Sequence, residues 1–398
     1  MSDRYPSRRE AAVAIAARLQ EAGYVAYLAG GCVRDQLRGV EPKDYDVATS
    51  ATPRQVRAIF PMGKFVGESF GVVLVHRKVE GEGFVPFEVA TFRLEWGYED
   101  GRRPEKVEFT DAAHDAARRD FTINGLFEDP VTRDPAIVKA EAPGQPGRVE
   151  AMPRGGVVID YVNGLDDLEA GLIRAVGDPD ERFGEDYLRM LRAVRFAART
   201  GFQIEPTTEA AIRLQSRYLG LISRERIGGE MMTMLGFAGE RDVSARAGRL
   251  RALSLIQHLH LDSATLSEDH HDAELRVCAG LSELAGRAGE LAGWIIDRHL
   301  RGDGEGALIL FFEQEAGRVI DKWRDALNLS NDLRDELRAI FRRLRGMMDW
   351  GDLPIARRKR LLAAEAWGEA LRVAEAIPHD PMPRLVRQVI RQSQPLIA

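Results

Sequence analysis

The chain runs to 398 residues, 44% hydrophobic and 30% charged, which is more than one ordinary core accommodates and points to roughly two to four globular modules. No run of about 18 apolar residues occurs, so no bilayer-spanning helix is expected, and the opening MSDRYPSRRE has no apolar core of an export signal. Two cysteines, Cys32 and Cys278, exclude a disulfide framework and fit a reducing cytosol, while a net charge of −6 excludes a uniformly basic surface for nucleic acid.

In chain order, Ser7-Arg8-Arg9-Glu10 is a capping box that opens a helix closing at Gly23. Tyr24 to Ala29 reads as a strand that breaks at Gly30-Gly31, and the helix-like CVRDQLRG follows. Asp44 and Asp46 then fall two apart in an extended pattern, which sends both carboxylates to one side. Such a pair can hold two divalent cations about 3.5 to 4 Å apart for displacement at phosphorus. Paired glycines let the backbone approach a ligand, the helix start aims N–H groups at a phosphate, and Arg34 adds charge. Taken singly, the glycines are a tight turn and the acids an exposed strand; taken together they describe a nucleoside triphosphate site.

Thr52-Pro53 caps a helix over Arg54 to Phe60, and Gly71 to Lys78 and Phe84 to Phe92 read as strands joined by a turn at residues 80–83. Glu88 alternates with apolar neighbours, so it is either a solvated strand residue or a third acid abutting the Asp44 to Asp46 strand. Phe92 to Phe109 reads as a loop containing Arg102 and Arg103. Asp111 caps a short helix, Phe121 to Phe127 returns to the core, Pro130 to Gly156 reads as an inserted loop or hairpin extension, and Val157 to Tyr161 resumes a strand.

Arg182 to Thr200 has the spacing of one amphipathic helix, with Leu188, Leu191, Val194 and Ala198 on the apolar side. Asp186, Arg189, Arg192 and Arg195 fall near another face, and Glu185 can pair with Arg189 at i, i+4. One reading is an ordinary ion-paired helix face. The other is base recognition: cytosine and adenine each present an amino donor beside a ring-nitrogen acceptor, which a carboxylate and a guanidinium side by side would satisfy. Guanine and uracil present the reverse and would leave both groups unpaired.

The second half is helical in pattern, with breaks at Gly302-Asp303-Gly304 and at residues 349–352. Met231, Met232 and Met234 read as core filler. His258, His260, His270, His271, Asp272 and Cys278 suggest a metal site, but no partner residues stand at convincing spacing and a helix cap explains His271-Asp272. Residues 331–398 carry 13 Lys and Arg against 9 Asp and Glu. Arg357, Arg358, Lys359, Arg360 and the series Arg384, Arg387, Arg391 fit either a phosphate backbone or a solvated basic face.

LAGGCVRDQLRG with KDYDVATSATPRQVRAIFP, then RRDFTINGL, DYVNGLDDLEAGLIRAVGDP and RFGEDYLRMLRAVRFAARTGF, resemble the motifs of class II tRNA nucleotidyltransferases, the group of CCA-adding enzymes and bacterial poly(A) polymerases within the DNA polymerase beta superfamily. The resemblance covers roughly the first 235 residues. It implies an α+β nucleotidyltransferase head over residues 1–165 with an insertion at 131–156, then all-α neck (166–236), body (237–330) and tail (331–398). It implies Asp44, Asp46 and Glu88 as catalytic acids, the first two holding Mg²⁺ as a two-ion centre. Gly30, Gly31, Arg34, Arg119, Asp120, Asp186, Arg189, Arg192 and Arg195 become nucleotide contacts, with Arg119 and Asp120 reading the ribose. The 92–109 segment matches a loop that helps switch from C to A addition, with Glu95 where aspartate is usual.

The implied activity is addition of CCA to tRNA 3′ ends from CTP and ATP, with contacts to the acceptor and T arms by the basic tail, in the cytoplasm and with no obligate protein partner. Two other enzymes stay open, an A-only tRNA transferase and a poly(A) polymerase, although GESFGVVLVH lacks the basic run of the latter. A non-catalytic RNA- or nucleotide-binding regulator is the alternative of another kind.

Overall fold

The computed structural model describes residues 4–65, 71–96, 106–235, 311–327, 329–364, 366–377 and 382–397, with scattered residues between 248 and 296. It divides into two compact units, one of residues 1–189 and 202–212 and one of residues 190–201 and 213–398. The division falls in the middle of the second expected module rather than at residue 165.

The first unit is built on a nine-stranded mixed sheet. Its strands are β1 (Arg4–Tyr5), β2 (Ala26–Ala29), β3 (Asp46–Thr49), β4 (Lys64–Phe65), β5 (Val72–Val79), β6 (Gly83–Thr91), β9 (Phe127–Asp129), β10 (Arg148–Ala151) and β11 (Val157–Asp160), while β7 (Arg93–Trp96) and β8 (Lys106–Phe109) pair separately. The order is β1-β5-β6-β3-β2-β9-β11-β10, with β4 on β5. Among the described residues of this sheet, the β1–β5 and β3–β6 pairs are parallel and the others antiparallel. The segment expected as a loop over 92–109 therefore has paired arms in β7 and β8; Arg102 and Arg103 lie outside the described residues.

Each face of the sheet carries its own core. Helix α1 (Arg8–Glu21), capped by Ser7 as its sequence requires, buries Ala11, Ala12, Ile15, Ala16 and Leu19 against Val47, Val73 and Val89. Small residues on α1 let it lie close to the sheet, and Ile15 and Leu19 each contribute about 1.5 to 3 kcal/mol by full burial. On the opposite face Tyr27, Phe92 and Phe127 pack in tilted and edge-on pairs with centroids 5.8–6.2 Å apart. Of the two readings of the 130–156 stretch, loop or hairpin extension, the second is observed: β10 pairs antiparallel with β11 at the sheet edge, and α5 (Pro135–Glu141) before it buries Val138.

Glu128, on β9, is fully buried and accepts from Arg9 and Gln36. Burial raises its pKa despite the Arg9 guanidinium, so Arg9 is what makes its charge tolerable. Arg9→Ala is expected to cost the head about 3 kcal/mol, because it strands a buried carboxylate; urea titration of the variant measures this, with the loss recovered at acid pH.

The first unit also contains α2 (Gly31–Leu37), α3 (Pro53–Ile59), α4 (Ala112–Ala117), α6 (Gly164–Ala170) and α7 (Pro179–Glu185). Thr52 and Gln55 complete the capping box of α3, and Asp111 caps α4. The single helix expected over 182–200 is two helices. The α7 helix stops at Glu185, residues 186 and 187 are non-helical, and α8 (Leu188–Thr200) begins afresh.

The described part of the second unit is helical. The α9 helix (Pro206–Gln215) lies mostly in the first unit; in the second, after α10 (Arg224–Leu235), where Met231 and Met234 are buried as expected, come α11 (Ala316–Leu327), α12 (Asn331–Met348), α13 (Ile355–Leu362), α14 (Trp367–Ala376) and α15 (Met382–Ile397). Trp323 and Trp350 are its largest buried side chains. His258 contacts Arg213, whereas His270, His271, Asp272 and Cys278 lie outside the described residues. No helix among the described residues is long and apolar enough to cross a membrane.

Candidate active site

The antiparallel β2–β3 pair sets Ala29 against Asp46, so the glycine turn that follows β2 lies beside the acid that starts β3. Asp44 precedes β3 rather than belonging to it, yet the alternation holds: Tyr45 and Val47 are buried and Asp44 and Asp46 are exposed on the other side. The parallel β3–β6 register sets Val47 against Val89, and one residue back brings Glu88 next to Asp46. Both readings of Glu88 hold in part: it is exposed, and it abuts the acid strand.

These acids repel one another. Asp46 has its pKa pushed up to about 6, chiefly by burial, then by Glu88 and more weakly by Asp44, with Arg119 opposing. The residue is nonetheless exposed by its accessible surface, so water reaches the carboxylate without surrounding it. Asp44 is held outward, 85% exposed, in an ion pair of 3.3 Å with Arg8, whose guanidinium also grips Glu82. Among the described residues no three His, Cys, Asp or Glu side chains are gathered closely enough to cage a metal. The donor set still fits a divalent cation: carboxylate oxygens on one side of one sheet end, with more negative charge than the neighbouring guanidinium offsets.

Gly30 sits at φ 73°, and a Cβ there would stand 2.8 Å from Nη1 of Arg119. Gly30→Ala is therefore expected to cost about 2 kcal/mol or more, from a left-handed backbone plus displacement of that guanidinium; chemical denaturation of the variant tests it. Arg119 bonds to Asp115 and to the Asn124 carbonyl and stacks over Phe127, 4.8 Å from the ring centre. Asp120 is buried and accepts from the Phe121 amide and from Asn124.

Arg34 departs from expectation. It is 2% exposed, pairs with Asp35 at 2.8 Å and donates to Asn124 at 2.6 Å. Its charge braces the glycine turn from behind instead of reaching toward a phosphate. Asn124, which joins Arg34 to Asp120, was not singled out in the sequence; its signal is the only amide side chain in FTING.

The base-reading candidates are also placed differently from a helix face. Asp186 has an extended backbone, and its carboxylate accepts the amide of Leu188 at 3.1 Å. Arg189 lies in the first turn of α8, pairs with Glu185 as expected, and donates to the Arg182 carbonyl at 2.9 Å. Arg192 and Arg195, in the second unit, both face Glu230, at 3.7 and 2.7 Å.

In the second unit Arg357, Lys359 and Arg360 are exposed on α13. Arg358 is not part of that surface: it donates to the carbonyls of Gly351 and Leu353, both at 2.8 Å, and lies over Trp350. It ties a turn to a buried indole. Arg384, Arg387 and Arg391 are exposed on α15.

A mixed sheet that ends in a glycine turn, with acids on its adjacent parallel strands, defines a nucleotidyltransferase head. Residues 26–174 match the family described as "Poly A polymerase head domain", and residues 201–239 match "Probable RNA and SrmB- binding site of polymerase A". The chain is thus similar to this family over its head and over the segment that follows it.

It is similar to the CCA-adding enzyme of Limosilactobacillus fermentum, 41% identical over 231 residues, which are 58% of this chain and 50% of that one. It is also similar to the enzyme of that name from Lactobacillus gasseri, 43% identical over 56% of this chain and 49% of that one. The matches thus span about half the length of these curated relatives. Among solved structures, the Bacillus stearothermophilus CCA-adding enzyme in complex with CTP is 28% identical with a TM-score of 0.69, covering 97% of this chain and 82% of that one. The Thermotoga maritima CCA-adding enzyme complexed with tRNA_CCA, at 18% identity and a TM-score of 0.58 over 96% of this chain and 81% of that one, shares the fold.

Proposed function

We propose that this protein adds C and A residues to the 3′ ends of tRNA from CTP and ATP, releasing pyrophosphate. The observation that carries the reading is the Asp46–Glu88 adjacency beside the Gly30 turn: an acid cluster and a close-approach backbone at one sheet end suit metal-assisted nucleotidyl transfer. The similarity to a CCA-adding enzyme crystallised with CTP supports the substrate class.

Asp44 and Asp46 would hold Mg²⁺, with Glu88 as the third acid. When bound, a pair of ions supplies charge for ionising the RNA 3′-OH and for holding the departing pyrophosphate. This chain's own residues do the rest. Gly30 and Gly31 would let the triphosphate approach the backbone, and Arg119 and Asp120 would read the ribose, a role supported by the 2.8 Å between the Arg119 guanidinium and the position of a Cβ on Gly30. Asp186 and Arg189 offer the acceptor and donor that cytosine and adenine share. No histidine or nucleophilic side chain is needed. Arg357, Lys359 and Arg360 are exposed cations suited to RNA phosphates, and a cytoplasmic setting goes with the activity proposed.

The test uses tRNA ending before CCA, tRNA ending in CC and complete tRNA, each with single labelled nucleotides. CTP incorporation on the shortest substrate followed by one ATP is the expected result. ATP incorporation on the CC substrate with no CTP incorporation on the shortest one would replace the reading with A-only addition, long AMP tails with a poly(A) polymerase, and no incorporation with a nucleotide-binding regulator.

A further inference from the structure

We propose that Arg182 is a positioning residue that sets base specificity by aiming Arg189; this rests on the transfer reading above. Arg182 lies in α7, only 14% exposed, and its guanidinium spans three chain segments. Nε donates to the Val176 carbonyl at 3.0 Å and Nη2 to the Ala117 carbonyl at 2.9 Å. Nη1 donates to the Arg118 carbonyl at 3.3 Å and to Glu185 at 2.8 Å. Arg189 uses the same two acceptors, Glu185 and the Arg118 carbonyl, and also the main-chain carbonyl of Arg182.

The two guanidiniums are thus locked side by side on shared oxygens. Their common anchor, the end of α4, runs directly into Arg119 and Asp120 at the glycine turn. A break between α7 and α8 would otherwise leave Arg189 without a fixed direction, because residues 186 and 187 are not helical. Arg182 replaces the missing helix with a hydrogen-bonded strut. Discrimination between an N–H and a ring nitrogen depends on the direction of Arg189, so a strut that fixes direction acts on specificity more than on chemistry.

A planar fork can reach carbonyls on two segments and a carboxylate on a third together; an ammonium cannot. Arg182→Lys and Arg182→Gln are therefore the variants, each assayed for kcat/KM with CTP, ATP, UTP and GTP and for thermal melting. Expected is a fall of about 10²-fold with CTP and ATP, the scale of a misplaced recognition group, with a smaller fall for UTP and GTP. The preference for CTP over UTP then drops at least about tenfold, and KM rises more than kcat falls. In an Asp46→Asn background, calorimetric binding of CTP and UTP should show the same loss of preference without turnover. An equal fall for all four nucleotides, or an unchanged preference in both assays, overturns the proposal. Wild-type protein that incorporates neither CTP nor ATP would instead remove the transfer reading, and the binding assay would still report on Arg182.

Discussion

Asp46→Asn is expected to abolish nucleotidyl transfer, by at least about 10³-fold, while making the head more stable at neutral pH. Both effects come from one carboxylate. Its pKa is pushed up to about 6 by burial and by Glu88, so the folded head binds a proton there more tightly than the unfolded chain. Ionisation therefore costs stability, and the cost grows as pH rises from about 4 through 6 and is complete above that. Because the group is accessible to water, screening reduces the gain from asparagine to about 1 kcal/mol, or roughly 2 to 4 °C in the melting of a unit this size. The gain should vanish below about pH 4, where aspartate is already protonated in both states. The same protonation opposes cation binding, so wild-type activity at limiting Mg²⁺ should fall as pH drops through about 6 and recover when Mg²⁺ is raised. Melting curves against pH and a Mg²⁺ titration at two pH values check both halves. A variant that stays active would contradict the catalytic role of the acid, and one destabilised at pH 7.5 would contradict the cost assigned to its ionisation.

The head was legible in the sequence because its signals are local and periodic. Ser7, Thr52 and Asp111 announce helix starts that form as written, and the turn at residues 80–83 joins two strands paired along their length. Alternation around Tyr45 fixed the direction of both acids even though Asp44 lies outside the strand. What local pattern could not show was competition between distant partners. Arg34 looks like an anion ligand until Asp35 and Asn124, 90 residues on, claim its guanidinium. Arg358 sits in a run of four cations, yet carbonyls of a preceding turn and the Trp350 ring draw it inward. The break at residues 186 and 187 was masked by helical periodicity that continues in register on both sides. There the Asp186 carboxylate competes for a main-chain amide, which is the habit that makes aspartate a helix starter.

That double engagement of Asp186 separates two effects in the second large prediction. Asp186→Asn keeps an oxygen for the Leu188 amide, so stability should hold, whereas Asp186→Ala should lose about 1 kcal/mol along with it. For base reading the two variants both fail, in different ways. A carboxylate can only accept, which suits the amino groups of cytosine and adenine and repels the carbonyl oxygens of uracil and guanine. Asparagine can turn its amide to donate, so the penalty against uracil falls while Arg189 still opposes its N–H. The preference for CTP over UTP should then drop from about 10⁴ toward 10² in Asp186→Asn. In Asp186→Ala, kcat/KM with CTP and ATP should fall by about 10²-fold or more, since no acceptor remains. Nucleotide competition assays on tRNA lacking its last three residues measure the first, and single-nucleotide kinetics the second. If Asp186→Asn kept full selectivity while Asp186→Ala lost only stability, the carboxylate would be a helix starter alone, and base choice would have to come from groups other than the Asp186 and Arg189 pair.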